Sequence, residues 1–255
     1  MILVLNISKD LLTVGFYQTN TEKQVGSVWI QKEMTAEDIA IKLAELSRFF
    51  GIESAVDGAV IASVSPPLTQ GVAQAVKLLY DVNALIVGPG VKSGLNIKIN
   101  DPSQLGADLV GMAAGVVDQY SLPCLLVNLS DTMTISYIDE NKVYVGTVIY
   151  AGMSNILKAL VENADLLNFV TLSAPQKVLG TDTTESIQSG VIYGTACVVD
   201  GFIDRIGEKY PYHSVVLTGK YGSLVQPYCK TPMTLDQTLL TDGLYRICLR
   251  QKKRI

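Results

Sequence analysis

The chain opens twice with the same arrangement of short strands, and this repetition restricts the possible folds more than any other feature of the sequence. Alternation of apolar and polar residues predicts three strands near the N-terminus and three more from Cys124 onward. Polar turns separate the strands within each set. The predicted strands cover residues 2–5, 13–18, 24–30, 124–129, 132–137 and 142–149. The repetition indicates a duplicated chain whose halves meet near residues 116–122.

Both openings lead into segments in which helices and strands alternate. The predicted helices cover residues 36–50, 68–80, 154–163, 185–209 and 235–249, and the strands between them cover 58–63, 84–87 and 214–217. This order is typical of mixed sheets that are covered by helices. We therefore expect an α/β protein with two related lobes, residues 1–118 and residues 119–255, around a cleft.

The composition fits buried strands and does not fit a membrane protein. Hydrophobic residues make up 48% of the chain and charged residues 17%, as in folds with buried parallel strands. Apolar runs such as residues 58–64 and 124–129 are far shorter than the roughly 20 residues that cross a bilayer. The N-terminus enters a strand at once, without the basic and cleavable parts of a secretory signal. We expect a cytoplasmic protein.

Charge and cysteine spacing argue against two further classes of protein. The net charge of -4 and the pI near 5.1 give no electrostatic attraction to nucleic acid. Positive charge is concentrated only in residues 246–254, which is typical of the C-terminal end of a helix. The four cysteines form no Cys-x-x-Cys or Cys/His cluster, which indicates reduced structural thiols rather than a zinc site. They are Cys124, Cys197, Cys229 and Cys248.

One loop and the helix start that follows it carry the most specific motif. From Gly88 the chain reads Gly-Pro-Gly-Val-Lys-Ser-Gly-Leu, and Gly106-Ala107-Asp108 comes shortly afterwards. Glycines at this spacing allow a tight turn whose backbone can approach a small polar ligand closely. Taken alone, Asp108 is an ordinary acidic residue for the first turn of a helix.

This loop and helix start resemble the signature of the type III pantothenate kinases. Weaker matches to that family recur in the family's order at Ala62–Pro66, Gly146–Gly152, Leu179–Thr183, Gln188–Gly190, Val199–Gly201 and Leu217–Gly219. The resemblance implies the duplicated, ribonuclease H-like lobes of the sugar kinase, Hsp70 and actin fold. It also implies transfer of the γ-phosphoryl group of ATP to pantothenate, which gives 4'-phosphopantothenate and opens coenzyme A biosynthesis.

The resemblance also implies roles for single residues and for cofactors. Asp108 would be the general base on the pantothenate hydroxyl, with Gly106, Ala107 and Leu109 beside the substrate. Thr183 corresponds to a pantothenate contact that the family presents across a dimer interface, although taken alone it would be a helix N-cap. ATP, Mg²⁺ and a monovalent cation, K⁺ or NH4⁺, are the implied cofactors.

The first of two expected phosphate loops departs from the family pattern. The family has Asp-x-Gly-Asn-Thr-Asn where this chain reads Asn-Ile-Ser-Lys-Asp-Leu from Asn6. Asn6 therefore replaces a carboxylate that helps to organise the metal, and Ser8 replaces a glycine. Asp10 replaces a hydroxyl that would face phosphate, so that Lys9 is the residue of this loop that could compensate.

The second phosphate loop departs in a parallel way. The family pattern Asp-x-Gly-Thr-Ala-Thr-Thr appears as Asn-Leu-Ser-Asp-Thr-Met-Thr from Asn128. Asn128 offers one neutral carbonyl oxygen at the position of a cation-binding aspartate. Asp131 replaces a threonine that would face phosphate. For unit charges about 5 Å apart at an effective dielectric near 20, like-charge repulsion costs roughly 3 kcal/mol before screening.

Further family positions have changed as well. Leu109 stands where the family has an arginine, and Met112 where it has an asparagine. Ile99 replaces an aromatic wall of the pantothenate pocket. Lys220 replaces a second glycine at the adenine end, where a side chain would crowd the nucleotide.

These departures favour a catalytically impaired paralogue that pairs, as a homodimer or with an intact homologous kinase, in a structural or regulatory role. The alternative is an active pantothenate kinase with Asp108 as its base. A transcriptional accessory role, attached to some relatives, is disfavoured because the acidic chain has no basic recognition face. Apolar residues around the helix of residues 185–209 also predict a dimer: Ile187, Val191, Tyr193, Cys197, Val198, Phe202 and Ile206.

Overall fold

The computed structural model describes residues 1–19, 21–162 and 170–252. These residues form two compact units. The first contains Met1–Leu95, Asn100–Asp118 and Leu239–Ile255, and the second contains Asn96–Ile99 and Gln119–Thr238. The chain changes unit between Asp118 and Gln119. The C-terminal segment differs from the expected lobe of residues 119–255, because it belongs to the first unit.

The first unit is built on a five-stranded sheet in the order β3-β2-β1-β4-β5. Its strands are β1 (Ile2–Ser8), β2 (Leu11–Tyr17), β3 (Lys23–Trp29), β4 (Gly58–Ser63) and β5 (Ala84–Ile86). Strands β1 and β2 form an antiparallel hairpin, and β4 lies parallel to β1 on its other side. The loop after β1 therefore lies at the end of a central strand.

Helices cover this sheet with apolar side chains. They are α1 (Ala36–Phe49), α2 (Pro66–Tyr80) and α7 (Leu239–Lys252), and α3 (Ala107–Gln119) packs against α7. Leu5 and Ile61 of the sheet pack with Ile39 of α1 and Val72 of α2. Because side chains alternate along a strand, the neighbouring residues such as Val4 face the other side, and α7 lies against β1 and β4. Packing on both faces explains why β1 is almost entirely apolar.

The second unit has a six-stranded sheet in the order β11-β10-β7-β8-β9-β6. Its strands are β6 (Asn96–Ile97), β7 (Cys124–Leu129), β8 (Thr132–Ile138), β9 (Val143–Ala151), β10 (Ser214–Thr218) and β11 (Thr234–Leu235), and its helices are α4 (Met153–Val161), α5 (Thr183–Gly207) and α6 (Gly222–Val225). Strand β7 is antiparallel to β8 and parallel to β10. The hairpin opening and its parallel neighbour thus recur, as the duplication predicts.

Most predicted elements are confirmed, and the main error is the start of the last helix. Leu235 was expected in that helix but pairs with β10 as part of β11, and α7 begins at Leu239. The backbone N–H of Asp236 donates to the carbonyl of Leu217 (2.8 Å), and the Asp236 carboxylate accepts from the N–H of Thr238 (2.9 Å). These bonds hold the chain in a turn between strand and helix. Residue 163, the expected end of α4, lies outside the described residues.

Within the described part of the chain, no helix combines the length and hydropathy that a membrane span requires.

Candidate functional site

The β1–β2 turn presents the first set of predicted phosphate-loop residues. Ser8 pairs with Leu11 across the hairpin, so that Lys9 and Asp10 form the turn itself. All three polar residues from Ser8 to Asp10 are exposed. Lys9 has a φ of 51°, the left-handed region that glycine and asparagine adopt more readily than lysine. The turn therefore offers one positive and one negative side chain on a strained backbone.

Asn6 lies behind this turn and is buried, with 7% of its surface exposed. Its side-chain Oδ1 has no hydrogen-bond partner among the residues that the structure describes. A buried carbonyl oxygen without a donor is costly, and such atoms are rare in folded proteins. Asn6 is thus a candidate contact for a donor that a ligand or a metal-bound water would bring.

The second hairpin holds Asn128 and Asp131 at the β7–β8 turn. Oδ1 of Asn128 accepts a hydrogen bond from Oγ of Ser130 (2.8 Å). Oδ1 of Asp131 accepts from Nζ of Lys220 (2.5 Å) and from Oγ of Ser154 (2.9 Å). The repulsion estimated from the sequence assumed an unpaired carboxylate. The ion pair with Lys220 corrects that assumption, because the negative charge is offset by a neighbouring positive one.

Two glycines let neighbouring loops close on this hairpin. A Cβ at Gly152 would overlap the carbonyl oxygens of Ser130 and Asp131. At Gly219, which has a φ of 94°, a Cβ would lie 2.5 Å from the carbonyl oxygen of Leu129. Only a residue without a side chain fits either position. The Gly146–Gly152 and Leu217–Gly219 motifs of the sequence therefore have a structural reason.

Asn155 and Thr134 complete the surroundings of the second hairpin. Nδ2 of Asn155, in the first turn of α4, donates to the main-chain carbonyl of Asp131 (2.8 Å). The hydroxyl of Thr134, which faces Asn128 across the strand pair, is buried and has no partner among the described residues. Within the part of the chain that the structure describes, each hairpin thus leaves one buried polar atom unpaired, Oδ1 of Asn6 in the first unit and this hydroxyl in the second.

Asp108 lies in the first turn of α3, as the sequence predicts. Its carboxylate folds back over Gly106, where a Cβ would lie 2.5 Å from Oδ1 of Asp108. Burial raises the pKa of Asp108, and hydrogen bonds from the backbone of Leu109 and of Asp108 itself oppose that rise in part. A desolvated carboxylate with a raised pKa is a stronger proton acceptor than an exposed one. The position of the Asp108 carboxylate therefore depends on a glycine at 106.

The other predicted substrate residues of α3 serve mainly in packing. Leu109 and Met112 are buried, with 8% and 3% of their surfaces exposed, and Ala107 is half-buried. Gly111 lies against α7, where a Cβ would approach the side chain of Leu240 to 2.7 Å. The positions where the resemblance expects arginine and asparagine thus carry apolar side chains within a packed helix. They offer no charge or hydrogen bond to a substrate.

The loop that begins at Gly88 is held by a residue that the sequence analysis did not identify. Arg250 of α7 donates from Nη1 to the carbonyl of Ser93 (2.7 Å) and from Nη2 to Asp118 (2.5 Å). Its guanidinium lies against Gly94, where a Cβ would be 2.7 Å from Cζ. Arg246 also approaches Asp118 (3.5 Å). The basic C-terminal residues therefore anchor this loop as well as ending a helix.

Thr183 is the first residue of α5 and is exposed. The N-cap is Asp182, whose side chain accepts from the N–H of Glu185 (2.9 Å). The alternative role of Thr183 as an N-cap is therefore wrong, because a neighbouring residue caps the helix. This arrangement leaves the Thr183 side chain outside the capping interaction.

The cysteines and acidic residues of the described segments contain no group of three or more that could hold a metal ion. All four cysteines are free thiols. Burial raises the pKa of Cys124 to about 11, and burial together with the nearby Asp200 raises that of Cys229 to about 12. Both thiols are therefore protonated and unreactive at neutral pH.

Comparison with known proteins agrees with the sequence motifs. A family model for type III pantothenate kinase matches residues 2–205. A type III pantothenate kinase from Halalkalibacterium halodurans is 32% identical over 251 residues, which cover 97% of this chain and 98% of the relative. The match spans both hairpins, the loop at Gly88 and the start of α5.

Two solved structures show the same architecture. One is a putative Baf family transcriptional activator from Campylobacter jejuni, with a TM-score of 0.61, 15% identity, and coverage of 99% of this chain and 100% of that one. The other is a putative 2-dehydro-3-deoxygalactonokinase from Sinorhizobium meliloti, with a TM-score of 0.61, 7% identity, and coverage of 100% and 98%. At these identities the likeness concerns the fold alone, and it confirms the α/β fold of sugar kinases and actin-like proteins. The family model and the 32% identical relative show that the chain belongs to the type III pantothenate kinase family.

Proposed function

We propose that this chain is a type III pantothenate kinase homologue that binds ATP weakly on its own and acts as one subunit of a dimer, either with itself or with an intact kinase of the family. The observation that carries the proposal is Asn6, a buried neutral amide at the end of the central strand β1, where the family has a carboxylate. The alternative is a chain that is fully active by itself.

Asn6 limits how a metal–nucleotide complex can bind. A divalent cation bound with ATP would neutralise phosphate charge during phosphoryl transfer. The unpaired Oδ1 of Asn6 can accept a hydrogen bond from a metal-bound water, but an amide supplies none of the negative charge with which a carboxylate attracts Mg²⁺. The residue therefore fits an orienting role and does not fit a charged metal ligand.

The expected monovalent-cation position is weakened in a comparable way. Oδ1 of Asn128 already accepts a hydrogen bond from Ser130, and it carries no formal charge. An aspartate at this position would attract a cation through its negative charge, which a neutral amide oxygen lacks. We therefore expect neither K⁺ nor NH4⁺ to activate this chain, and we assign no step to such an ion.

Asp108 keeps the features that the family reaction requires of a base. Its carboxylate is desolvated and positioned by the backbone of the first turn of α3. In the family reaction this carboxylate would accept the proton of the pantothenate hydroxyl while the hydroxyl oxygen forms its bond to the γ-phosphorus and the bond from that phosphorus to the leaving ADP oxygen breaks. The chain therefore combines a retained base with weakened phosphate loops.

The dimer is proposed from the exposed face of α5. One face of this helix is buried in its own unit, through residues such as Val191, Ala196 and Ile203. The other face exposes a line of small residues on which another helix could pack closely. Those residues are Gly190, Gly194 and Cys197. Thr183 lies at the start of the same helix and is exposed, so that a partner subunit could contact it.

A restoring substitution tests the role of Asn6. We expect the purified wild-type chain to bind Mg·ATP weakly and to phosphorylate pantothenate slowly or not at all. Asn6→Asp should tighten Mg·ATP binding by roughly tenfold or more, because it restores a charged oxygen beside the metal. Asn83→Asp, the same change at an exposed position of the first unit, is the matched control. Calorimetry that gives wild-type binding in the low micromolar range would contradict the proposal.

A surface substitution tests the dimer. Light scattering at micromolar concentration should give the mass of a dimer for the wild-type chain, or for its mixture with an intact family kinase. Gly194→Arg should abolish the dimer. Nothing within 4 Å of an added Cβ opposes the arginine in the single chain, but its side chain would project from the face on which the partner helix packs. Glu45→Arg, on the exposed face of α1, should leave the mass unchanged. A wild-type monomer that ignores the added kinase would overturn the subunit role.

A further inference from the structure

We propose that Asp131 and Lys220 form a competing pair, in which the Asp131 carboxylate occupies the ammonium group that a nucleotide phosphate would otherwise bind at the second hairpin. This inference rests on the proposed function, because it identifies what controls phosphate binding at the same site. It assigns control of phosphate affinity to two residues whose substitutions look independent in the sequence.

The contacts define the pair. Asp131 and Lys220 lie 89 positions apart in the sequence, and their side chains meet at 2.5 Å. The Ser154 hydroxyl donates to the same carboxylate oxygen at 2.9 Å. The Lys220 ammonium also lies 4.8 Å from the centre of the Tyr221 ring. One acidic oxygen thus gathers two donors that could equally serve a phosphate oxygen.

The two substitutions compensate each other in charge. According to the family resemblance, both positions carry uncharged residues, a threonine and a glycine, whereas here one gains a negative and the other a positive charge. Either change alone would leave a net charge at the hairpin. Burial lowers the pKa of Lys220, but the hydrogen bonds and charges of Asp131 and Tyr221 together outweigh it, so the pKa is raised overall. Lys220 therefore remains a cation at neutral pH.

The exposure of the pair allows an exchange of partners. The Lys220 side chain is 53% exposed and that of Asp131 is 32% exposed. Exposed ion pairs are weak, because water screens the charges and the flexible side chains lose entropy when they pair. A phosphate group carries more negative charge than one carboxylate, so it can take Lys220 and Ser154 from Asp131 once it is close. The pair then acts as an internal competitor that lowers phosphate affinity without abolishing it.

Three variants test the competition: Asp131→Asn, Asp131→Thr and Lys220→Gly. Binding of Mg·ATP, and separately of inorganic tripolyphosphate, is measured by calorimetry at low ionic strength. Both Asp131 variants should tighten binding of both probes by roughly tenfold, because Lys220 loses its competitor. Lys220→Gly should weaken binding by a similar factor, because the Asp131 charge is left unpaired. Glu140→Gln, an exposed change of charge in the second unit, is the control.

The direction of the Asp131 effect distinguishes competition from a structural role. If the pair only stabilises the hairpin, Asp131→Asn and Lys220→Gly should both lower the melting temperature and both weaken phosphate binding. Shifts in the same direction, or shifts no larger than that of Glu140→Gln, would overturn the inference. Failure of every variant to bind either probe would also overturn it.

The outcome is separable from that of the proposed function. Tripolyphosphate has no adenine and involves no pantothenate, so its binding reports on Lys220 without any kinase activity. The Asn6→Asp and Gly194→Arg experiments test weak ATP binding and the subunit role by themselves. Opposite shifts for Asp131→Asn and Lys220→Gly would therefore support the competing pair even if the chain proved to be monomeric and fully active.

Discussion

The two hairpins that open the sheets have the same strand order but hold their turns differently. In the first, Lys9 and Asp10 are exposed, and Lys9 adopts a left-handed backbone conformation. In the second, the turn at Asp131 is fixed by Lys220, by two donors from α4, and by the close approach of Gly152. Duplication preserved the strands, whereas the contacts of the turns diverged.

Asp108 of the first unit and Asp131 of the second unit show a related difference. Asp131 is neutralised by a nearby cation on a partly exposed turn. Asp108 is more deeply desolvated and has no ion pair in the described part of the chain, only backbone hydrogen bonds. A paired, partly exposed carboxylate can be accounted for by its local contacts. An unpaired, desolvated one is costly, which supports the role as a base that we propose for Asp108.

The largest expected effect comes from breaking the packing of the second hairpin. Gly152→Ala should lower the free energy of unfolding by about 2–4 kcal/mol, because the new Cβ overlaps the carbonyl oxygens of Ser130 and Asp131 and the backbone must move. Gly146→Ala is the matched control, since nothing lies within 4 Å of its added Cβ. Urea unfolding measures both. Equal stability of the two variants would show that the second turn is not held tightly.

The first unit fixes its Gly88 loop through Arg250, and truncating this side chain should have the next largest effect. Arg250→Ala removes donors to the carbonyl of Ser93 and to Asp118 and should cost about 2 kcal/mol. Arg250→Lys should cost less than Arg250→Ala but still destabilise the protein, because an ammonium cannot donate to both acceptors in the geometry of a guanidinium. Arg48→Ala, at an exposed position of α1, controls for loss of an arginine. A cost no larger than that of the control would show that the loop does not depend on Arg250.

The strands and most helices could be predicted because their signals are local. The continuous apolar runs at 58–63 and 124–129, which are almost entirely buried, give the bounds of β4 and β7 directly. The start of α7 could not be predicted, because Leu235 joins β11 through pairing with β10. Two-residue strands such as β6 and β11 are too short to show an alternating sequence pattern, and they form because a neighbouring strand pairs with them.

The local contacts of the candidate residues could be predicted from the sequence, but their distant contacts could not. Asp108 and Gly106 were found through adjacent motifs, and their packing depends on a separation of two positions. Lys220 reaches Asp131 across 89 positions, and Arg250 reaches Ser93 across 157. One sequence gives no signal that links such distant residues. The sequence therefore indicated two separate losses where the structure contains one compensated pair.

A smaller effect, with a defined dependence on pH, is expected at Asp108. Because its pKa is raised in the folded state, the folded protein holds this proton more tightly than the unfolded chain does. The wild-type chain therefore loses stability as the pH rises through the interval from the unfolded to the folded pKa. Asp108→Asn should be more stable than wild type at pH 7, and the difference should shrink as the pH falls through this interval and be smallest below about 4. Thermal melts across this range measure it, with Asp139→Asn as the control. A difference that grows toward low pH would contradict the raised pKa.

The smallest effect separates the strained first turn from the second. The positive φ of Lys9 brings its Cβ into unfavourable contact with the backbone, and glycine, which has no Cβ, would avoid that contact. Lys9→Gly should therefore change the free energy of unfolding by only about 0.5–1 kcal/mol, in the stabilising direction, after the greater flexibility of glycine in the unfolded chain is included.

Lys142→Gly is a matched control, because Lys142 also has a positive φ (61°) but lies in the β8–β9 turn, away from the candidate site. If strain alone decides, both variants should be stabilised alike. If Lys9 also binds phosphate, Lys9→Gly should weaken tripolyphosphate binding while Lys142→Gly leaves it unchanged, and calorimetry on the two variants separates these outcomes.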